Sequence, residues 1–220
     1  MVNYIDTLNQ SFRLDSSTCA LLVIDMQYAS GSRDHGLGAW LARQGLLEEA
    51  SYRFDRIEKT VVPGIEKLLR HFRSGGMRVI YVTLGATLSD YSDAPAHMRP
   101  FFKALNNHAG TREHQIIDAL HPLANEVIVH KTTQGAFASS RIDQILRALS
   151  VKQVICTGVS TNNCVETTAR EASDRGYQVA MVSDATGTCS DEMQNLTLKA
   201  FTRLWGRVMT VSQVITETSH

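Results

Sequence analysis

The sequence predicts an α/β protein: a six-stranded parallel sheet with helices on both faces, a Rossmann-like three-layer sandwich. Three observations carry this. Short, nearly all-apolar runs recur along the chain, as buried parallel strands do. Segments with helical spacing of apolar residues separate them. Several runs end in a polar or charged residue at a turn, where an open α/β sheet presents its binding edge. The 220 residues suffice for one sizeable core. No linker, repeat or low-complexity stretch divides them, so 1–220 is expected to be a single domain with residues 1–18 as an N-terminal arm.

Composition narrows the function. Lys plus Arg and Asp plus Glu number 22 each, for a formal net charge of zero. That argues against nucleic acid or an anionic membrane surface as the main partner. It does little to oppose self-association, so a homo-oligomer, dimer or tetramer, is expected. The N-terminal MVNYIDTLNQSF lacks a basic region followed by an apolar one, and no apolar run reaches a membrane span. None of the four cysteines forms a CxxC pair, which fits a reduced, cytoplasmic setting.

In chain order, the polar arm 1–18 is expected to lie on the surface or on a neighbouring subunit. Cys19–Asp25, CALLVID, reads as a buried strand ending in an acid. Residues 26–57 are less regular. GSRDHGLG reads as a mobile loop, and Ala39–Lys59 has helical spacing broken at Gly45. Loops near a catalytic edge often set substrate choice, which makes Tyr28, Arg33, His35 and Trp40 candidates. Val62-Pro63-Gly64 opens a helix whose stripe is Ile65, Leu68, Leu69 and Phe72, stopped at Gly75–Gly76. Arg78–Thr83 is the second strand, and 84–112 a long irregular connection of functional or interfacial kind. Glu126–Lys131 is the third strand, ending in a lysine. Ser139 or Ser140 caps the next helix. Lys152–Cys156 is the fourth strand, broken at Thr157–Gly158 by an elbow, VSTNN, that feeds a helix carrying Cys164 in its first turn. Gln178–Ser183 is the fifth strand, ending at Asp184, which reads as a structural tie through backbone hydrogen bonds. Ser190 caps a helix to about Leu204, and Arg207–Val211 is the sixth strand.

Asp25, Lys131 and Cys164 thus stand at or just past the carboxyl ends of three strands. A thiol needs a base, and a leaving amine needs a proton; a neighbouring carboxylate supplies both functions. A lysine ammonium stabilises thiolate and carboxylate, and helix-start N–H groups favour the thiolate and suit an oxyanion. The types fit a cysteine hydrolase without a histidine base.

LLVIDMQ around Asp25, HKTTQGAF around Lys131 and TGVSTNNCVETTAREASDRGYQVAMVSDA around Cys164 resemble the isochorismatase-like cysteine hydrolases over Cys19 to Val211. The resemblance implies a catalytic triad of Asp25 as general acid/base, Lys131 as electrostatic partner and Cys164 as nucleophile. It also implies a cis peptide between Val159 and Ser160. That bond would turn the Ser160 N–H towards the oxyanion beside the Cys164 N–H, with Val159 and Phe137 lining the pocket. Nicotinamidases of this family carry a metal-binding Asp-x-His with a further His after the second strand. Here that region reads VTLGATLSDYSD, so neither a metal, another cofactor nor nicotinamidase activity is expected. Isochorismatases that cleave a vinyl ether often lack the cysteine. Cys164 therefore favours an amidohydrolase acting on a small amide, carbamoyl or ureido compound through a thioester. A vinyl-ether hydrolase and a non-catalytic binding subunit are the alternatives.

Overall fold

The computed structural model describes residues 4–219. Six strands form one all-parallel sheet: β1 (Cys19–Ile24), β2 (Arg78–Leu84), β3 (Val127–Lys131), β4 (Gln153–Val159), β5 (Gln178–Gly187) and β6 (Arg207–Met209). Their order is β3-β2-β1-β4-β5-β6. The chain moves outwards from β1 through β3, then crosses to β4 and continues outwards on the other side. The switch point lies between β1 and β4, where Ile24 pairs with Gly158. Ligands of open α/β sheets bind beyond the carboxyl ends at such a point.

The helices are α1 (Tyr28–Gly31), α2 (Gly36–Arg43), α3 (Ser51–Arg56), α4 (Val62–Ser74), α5 (Arg99–Ala104), α6 (Ile142–Ala148), α7 (Glu166–Asp174), α8 (Asp191–Thr202) and α9 (Val211–Thr218). Strand side chains alternate between faces. Cys19, Leu21 and Val23 pack with Phe54, Ile57, Leu68, Phe72 and Val214, from the α3–α4 stretch and α9. Ala20, Leu22 and Ile24 pack with Ile142, Leu146, Ala169 and Phe201, from α6, α7 and α8. Both faces are therefore covered, and every residue of β1 is buried.

Four local expectations need correction. The GSRDHGLG stretch is half helix, because α2 begins at Gly36. A π-helical turn, Ile57–Val61, joins α3 to α4, so one helical run extends from Ser51 to Ser74. The fourth strand does not break at Thr157. It continues to Val159 because Gly158, at φ +107°, lets the backbone pass Ile24: a Cβ there would lie 1.9 Å from the Ile24 carbonyl oxygen. The fifth strand runs on to Gly187 through a register shift, where Cys156 faces Met181 but Gly158 faces Thr186. Arg56 caps that irregularity by donating to the carbonyls of Ser183 at 2.8 Å and Thr186 at 3.1 Å.

Residues 12–14 of the arm are held on their own chain. Leu14 is buried, Arg207 donates to the Phe12 carbonyl at 2.6 Å and Gln153 to the Arg13 carbonyl at 2.8 Å. Asp184 accepts from the Val211 N–H at 2.8 Å, tying β5 to α9. Ser190 accepts from the Met193 N–H and caps α8. Ser140 accepts from the Ile142 N–H at the start of α6, while Ser139 instead holds the N–H groups of Thr132 and Thr133. No helix among the described residues is long and apolar enough to cross a membrane.

Candidate active site

Asp25 is the residue after β1 and is buried. Its φ of +54° is left-handed, a region that aspartate enters more readily than most residues. The turn is held because the Asp25 N–H donates to the Val82 carbonyl at 2.9 Å and the Ser30 hydroxyl donates to the Asp25 carbonyl. Lys131 ends β3 and has no exposed surface. Its Nζ donates to Asp25 Oδ2 at 2.9 Å and to the Thr133 carbonyl at 3.1 Å. His130, on the opposite face of the same strand, stacks edge-on against His114.

Cys164 lies in a π-helical turn, Thr161–Val165, that precedes α7. Asn163 breaks helical geometry there, at φ −120° and ψ −105°. The Ser160 carbonyl accepts from the N–H groups of both Asn163 and Val165, which closes the elbow tightly. Thr161 donates to Gln194 Oε1 at 2.6 Å, and Gln194 Nε2 reaches Thr186, so α8 and β5 brace the turn. The Val159–Ser160 peptide is cis.

The Cys164 thiol is close enough to Asp25 and Lys131 to perturb both. Burial pushes the thiol pKa well above its ordinary value; the Asp25 charge adds to this, and Lys131 opposes it without prevailing. Burial and the Asp25 charge thus work against the thiolate that helix-start N–H groups would favour. Cys164 does not sit in an open first helical turn, and a carboxylate is its neighbour. Burial likewise raises the Asp25 carboxyl, against the pull of Lys131. Burial works against the Lys131 ammonium, yet the Asp25 charge outweighs it and keeps the lysine protonated. Burial thus favours the neutral forms of Asp25 and Cys164, while the Asp25 charge favours the Lys131 ammonium. Among the described residues, Asp25 Oδ1 receives no well-formed hydrogen bond.

A cavity of about 230 Å³ opens onto this group. Its lining includes Asp25, Cys164, Val159, Ser160, Asn163 and Arg53 together with the apolar Leu37, Leu84, Met98 and Phe101. Val159 and Ser160, both singled out from the sequence, are among the lining residues. Tyr28, Arg33 and Phe137 are not brought to the cavity. Tyr28 carries the Arg112 guanidinium 3.8 Å over its ring. Arg33 pairs with Asp55 at 2.6 Å and Glu58 at 3.0 Å. Phe137 is buried near Tyr177 and beneath the Arg175 guanidinium, its N–H bonded to Glu171. Each residue has a full set of contacts elsewhere, which a sequence pattern does not display.

Arg53, Met98 and Phe101 are cavity residues that sequence reasoning passed over. Arg53 did carry a signal. It stands one turn before Ile57, on the face that the surrounding spacing marks as buried, and a charge in such a stripe is costly unless used. Met98 and Phe101 come from the long connection after β2, whose path has no periodicity to follow. No cluster of three or more His, Cys, Asp or Glu side chains among the described residues is arranged to hold a metal ion.

Fold and site define a parallel α/β protein with a cysteine beside a buried carboxylate–ammonium pair at the sheet's switch point. The Isochorismatase domain family matches residues 19–213, and the chain belongs to the isochorismatase family. Among curated relatives, it is 27% identical over 215 residues to the ureidoacrylate amidohydrolase RutB of Agrobacterium fabrum, covering 90% of this chain and 89% of that one. It is 30% identical over 193 residues to RutB of Caulobacter segnis, covering 81% and 76%. Among solved structures, a cysteine hydrolase from Pseudomonas syringae superposes with a TM-score of 0.79 at 26% identity, covering 96% of this chain and 97% of that one. An N-carbamoylsarcosine amidase from Thermoplasma acidophilum superposes with a TM-score of 0.65 at 25% identity, covering 88% and 96%.

Proposed function

We propose that this chain is an amidohydrolase that cleaves a C–N bond of a small amide, carbamoyl or ureido compound through a thioester on Cys164. The observation that carries the reading is the meeting of three groups distant in sequence. Lys131 pairs with Asp25 at 2.9 Å, and Asp25 and Cys164 line one cavity. The names of the amidohydrolase and amidase relatives support the same bond type.

The chemistry follows from the resting charges. Cys164 Sγ attacks the substrate carbonyl as Asp25 takes the S–H proton, for which Oδ1 is the free acceptor. Burial raises the Asp25 pKa and makes that transfer less uphill. Lys131 keeps its proton and steadies the charge as it moves from carboxylate to sulfur. The carbonyl oxygen becomes an oxyanion, for which the Ser160 and Cys164 N–H groups are the assigned donors. Protonated Asp25 then gives its proton to the departing nitrogen, and the C–N bond breaks to leave the thioester. Water, deprotonated by Asp25, hydrolyses it and restores the thiol. No group in this sequence of steps changes oxidation state.

An ammonium-release assay over small primary amides, carbamoyl compounds and ureido compounds tests the reading. Turnover by the wild type, lost in Cys164→Ala, is the expected result. No release across the panel refutes it. Ammonium release surviving in Cys164→Ala would discard the thioester and leave Asp25 to activate water directly.

A further inference from the structure

The steps above need two turns at one spacing: the turn that carries Asp25 and the elbow that carries Cys164. These turns follow β1 and β4, neighbouring strands at the switch point. One side chain reaches both. Arg53, in α3, is only 8% exposed and lines the cavity. Its Nη1 donates to Ser160 Oγ at 2.7 Å, in the elbow. Its Nη2 donates to the Ser30 carbonyl at 2.9 Å. The Ser30 hydroxyl in turn donates to the Asp25 carbonyl. A single planar fork thus links the acid's turn to the nucleophile's elbow. Gln194 also braces the elbow, through Thr161, but ties it to β5.

The fork is charged as well as planar. A guanidinium is costly to bury without a counter-ion and does not shed its proton. No carboxylate pairs with Arg53 among the described residues, and its Nε has no hydrogen-bond partner there. Two neutral oxygen acceptors do not by themselves call for a charge. Burial works against the guanidinium, whereas negative charge on Cys189 or Cys164 works for it. In thioester formation negative charge leaves Asp25, which Lys131 faces. It passes to the sulfur and then to the oxyanion, whose assigned donors include the Ser160 N–H. Arg53 grips that same serine.

We propose that Arg53 is a positioning residue for thioester formation: its fork fixes the Asp25 turn against the Cys164 elbow, and its charge faces the side of the cavity where negative charge arrives. The inference rests on the hydrolase reading above and adds a residue to the same site. A residue of this kind acts on the transition state more than on substrate binding, so its loss is read in kcat.

Arg53→Gln and Arg53→Lys are compared with the wild type in two measurements. The first is kcat and KM for an amide of the ammonium-release panel that the wild type hydrolyses. The second is the rate of Cys164 alkylation by iodoacetamide at about pH 8. It is read by mass on the Cys164 peptide, so that the exposed Cys189 does not interfere. Arg53→Gln should lower kcat about tenfold or more while KM moves less than about threefold. It should also slow alkylation about threefold or more, because losing a nearby cation disfavours the thiolate. Arg53→Lys keeps the charge without the fork. It should alkylate within about twofold of the wild-type rate yet stay about threefold or more below wild type in kcat. A merely structural Arg53 moves alkylation the other way, since a loosened site exposes the buried thiol and speeds its reaction. Faster alkylation in Arg53→Gln, an unchanged kcat, or a loss confined to KM overturns the proposal. Should Arg53→Gln not fold, Arg53→Lys decides, and wild-type kcat in that variant overturns it. Such a result with an active wild type strikes this inference alone. Absence of ammonium release by the wild type sinks the hydrolase reading and this inference with it.

Discussion

Lys131→Met isolates the buried ion pair. In the native protein the ammonium and the Asp25 carboxylate are 2.9 Å apart with almost no exposure of either side chain. Removing one member of such a pair strands the other and costs about 3–5 kcal/mol. The loss should depend on pH. Burial raises the Asp25 carboxyl above its ordinary value, and Lys131 is what opposes that rise. Without Lys131 the folded-state value climbs further. A carboxyl raised in the folded state destabilises the fold as pH climbs from its unfolded towards its folded pKa, because the unfolded chain ionises more readily. Each pH unit in that window corresponds to about 1.4 kcal/mol. The deficit of Lys131→Met relative to wild type should therefore be greatest near neutrality and shrink on acidification. A floor remains, since the Thr133 carbonyl loses its donor, at about 1–3 kcal/mol for an unmet buried acceptor. Urea denaturation of both proteins at a series of pH values reads this directly. Asp25→Asn added to Lys131→Met should recover part of the loss. A deficit below about 1 kcal/mol, as for a surface pair, or one that does not fall with pH, refutes the reasoning.

Two other outcomes follow from the same geometry. Because burial and Asp25 hold the Cys164 thiol far above its ordinary pKa, its alkylation by iodoacetamide should keep accelerating from about pH 6 to about pH 9. A plateau below about pH 8 would mean a resting thiolate and contradict the charge assignment. Gly158→Ala should be among the most damaging single-methyl additions in the chain. The new Cβ would lie 1.9 Å from the Ile24 carbonyl oxygen at a φ of +107°, so a loss of more than about 3 kcal/mol in thermal or urea melts is expected. A wild-type melt for that variant would show the β1–β4 junction to be looser than described.

Much of this molecule is legible in its sequence, and the limits have physical causes. The strands announce themselves because a parallel sheet covered on both faces requires nearly continuous apolar runs, as in CALLVID. The polar endings of β1 and β3 then mark the site, since nothing in a core requires Asp25 or Lys131. The extent of β4 and β5 is less visible. Gly158 looks like a terminator but serves as a close-approach residue, and the β5 register shift, where Arg56 binds two carbonyls, leaves no mark in the apolar pattern. Substrate-side residues are the least legible. Tyr28 and Arg33 follow the first strand in sequence, yet a cation over a ring and two carboxylates take them elsewhere. Arg53 hid inside a helical stripe that reads as packing. The thiol's protonation state was also out of reach: it depends on burial and on Asp25, neither of which a local motif reports.

The claim on which the mechanism stands is that Cys164 becomes covalently acylated during turnover. Rapid quenching of the wild-type protein with a compound it hydrolyses, followed by intact-mass and peptide-mass measurement, tests this most directly. The account predicts a transient adduct of the acyl fragment, the substrate less its amine, on the peptide bearing Cys164. Continued turnover with an unmodified Cys164, or an equal rate in Cys164→Ser, contradicts it.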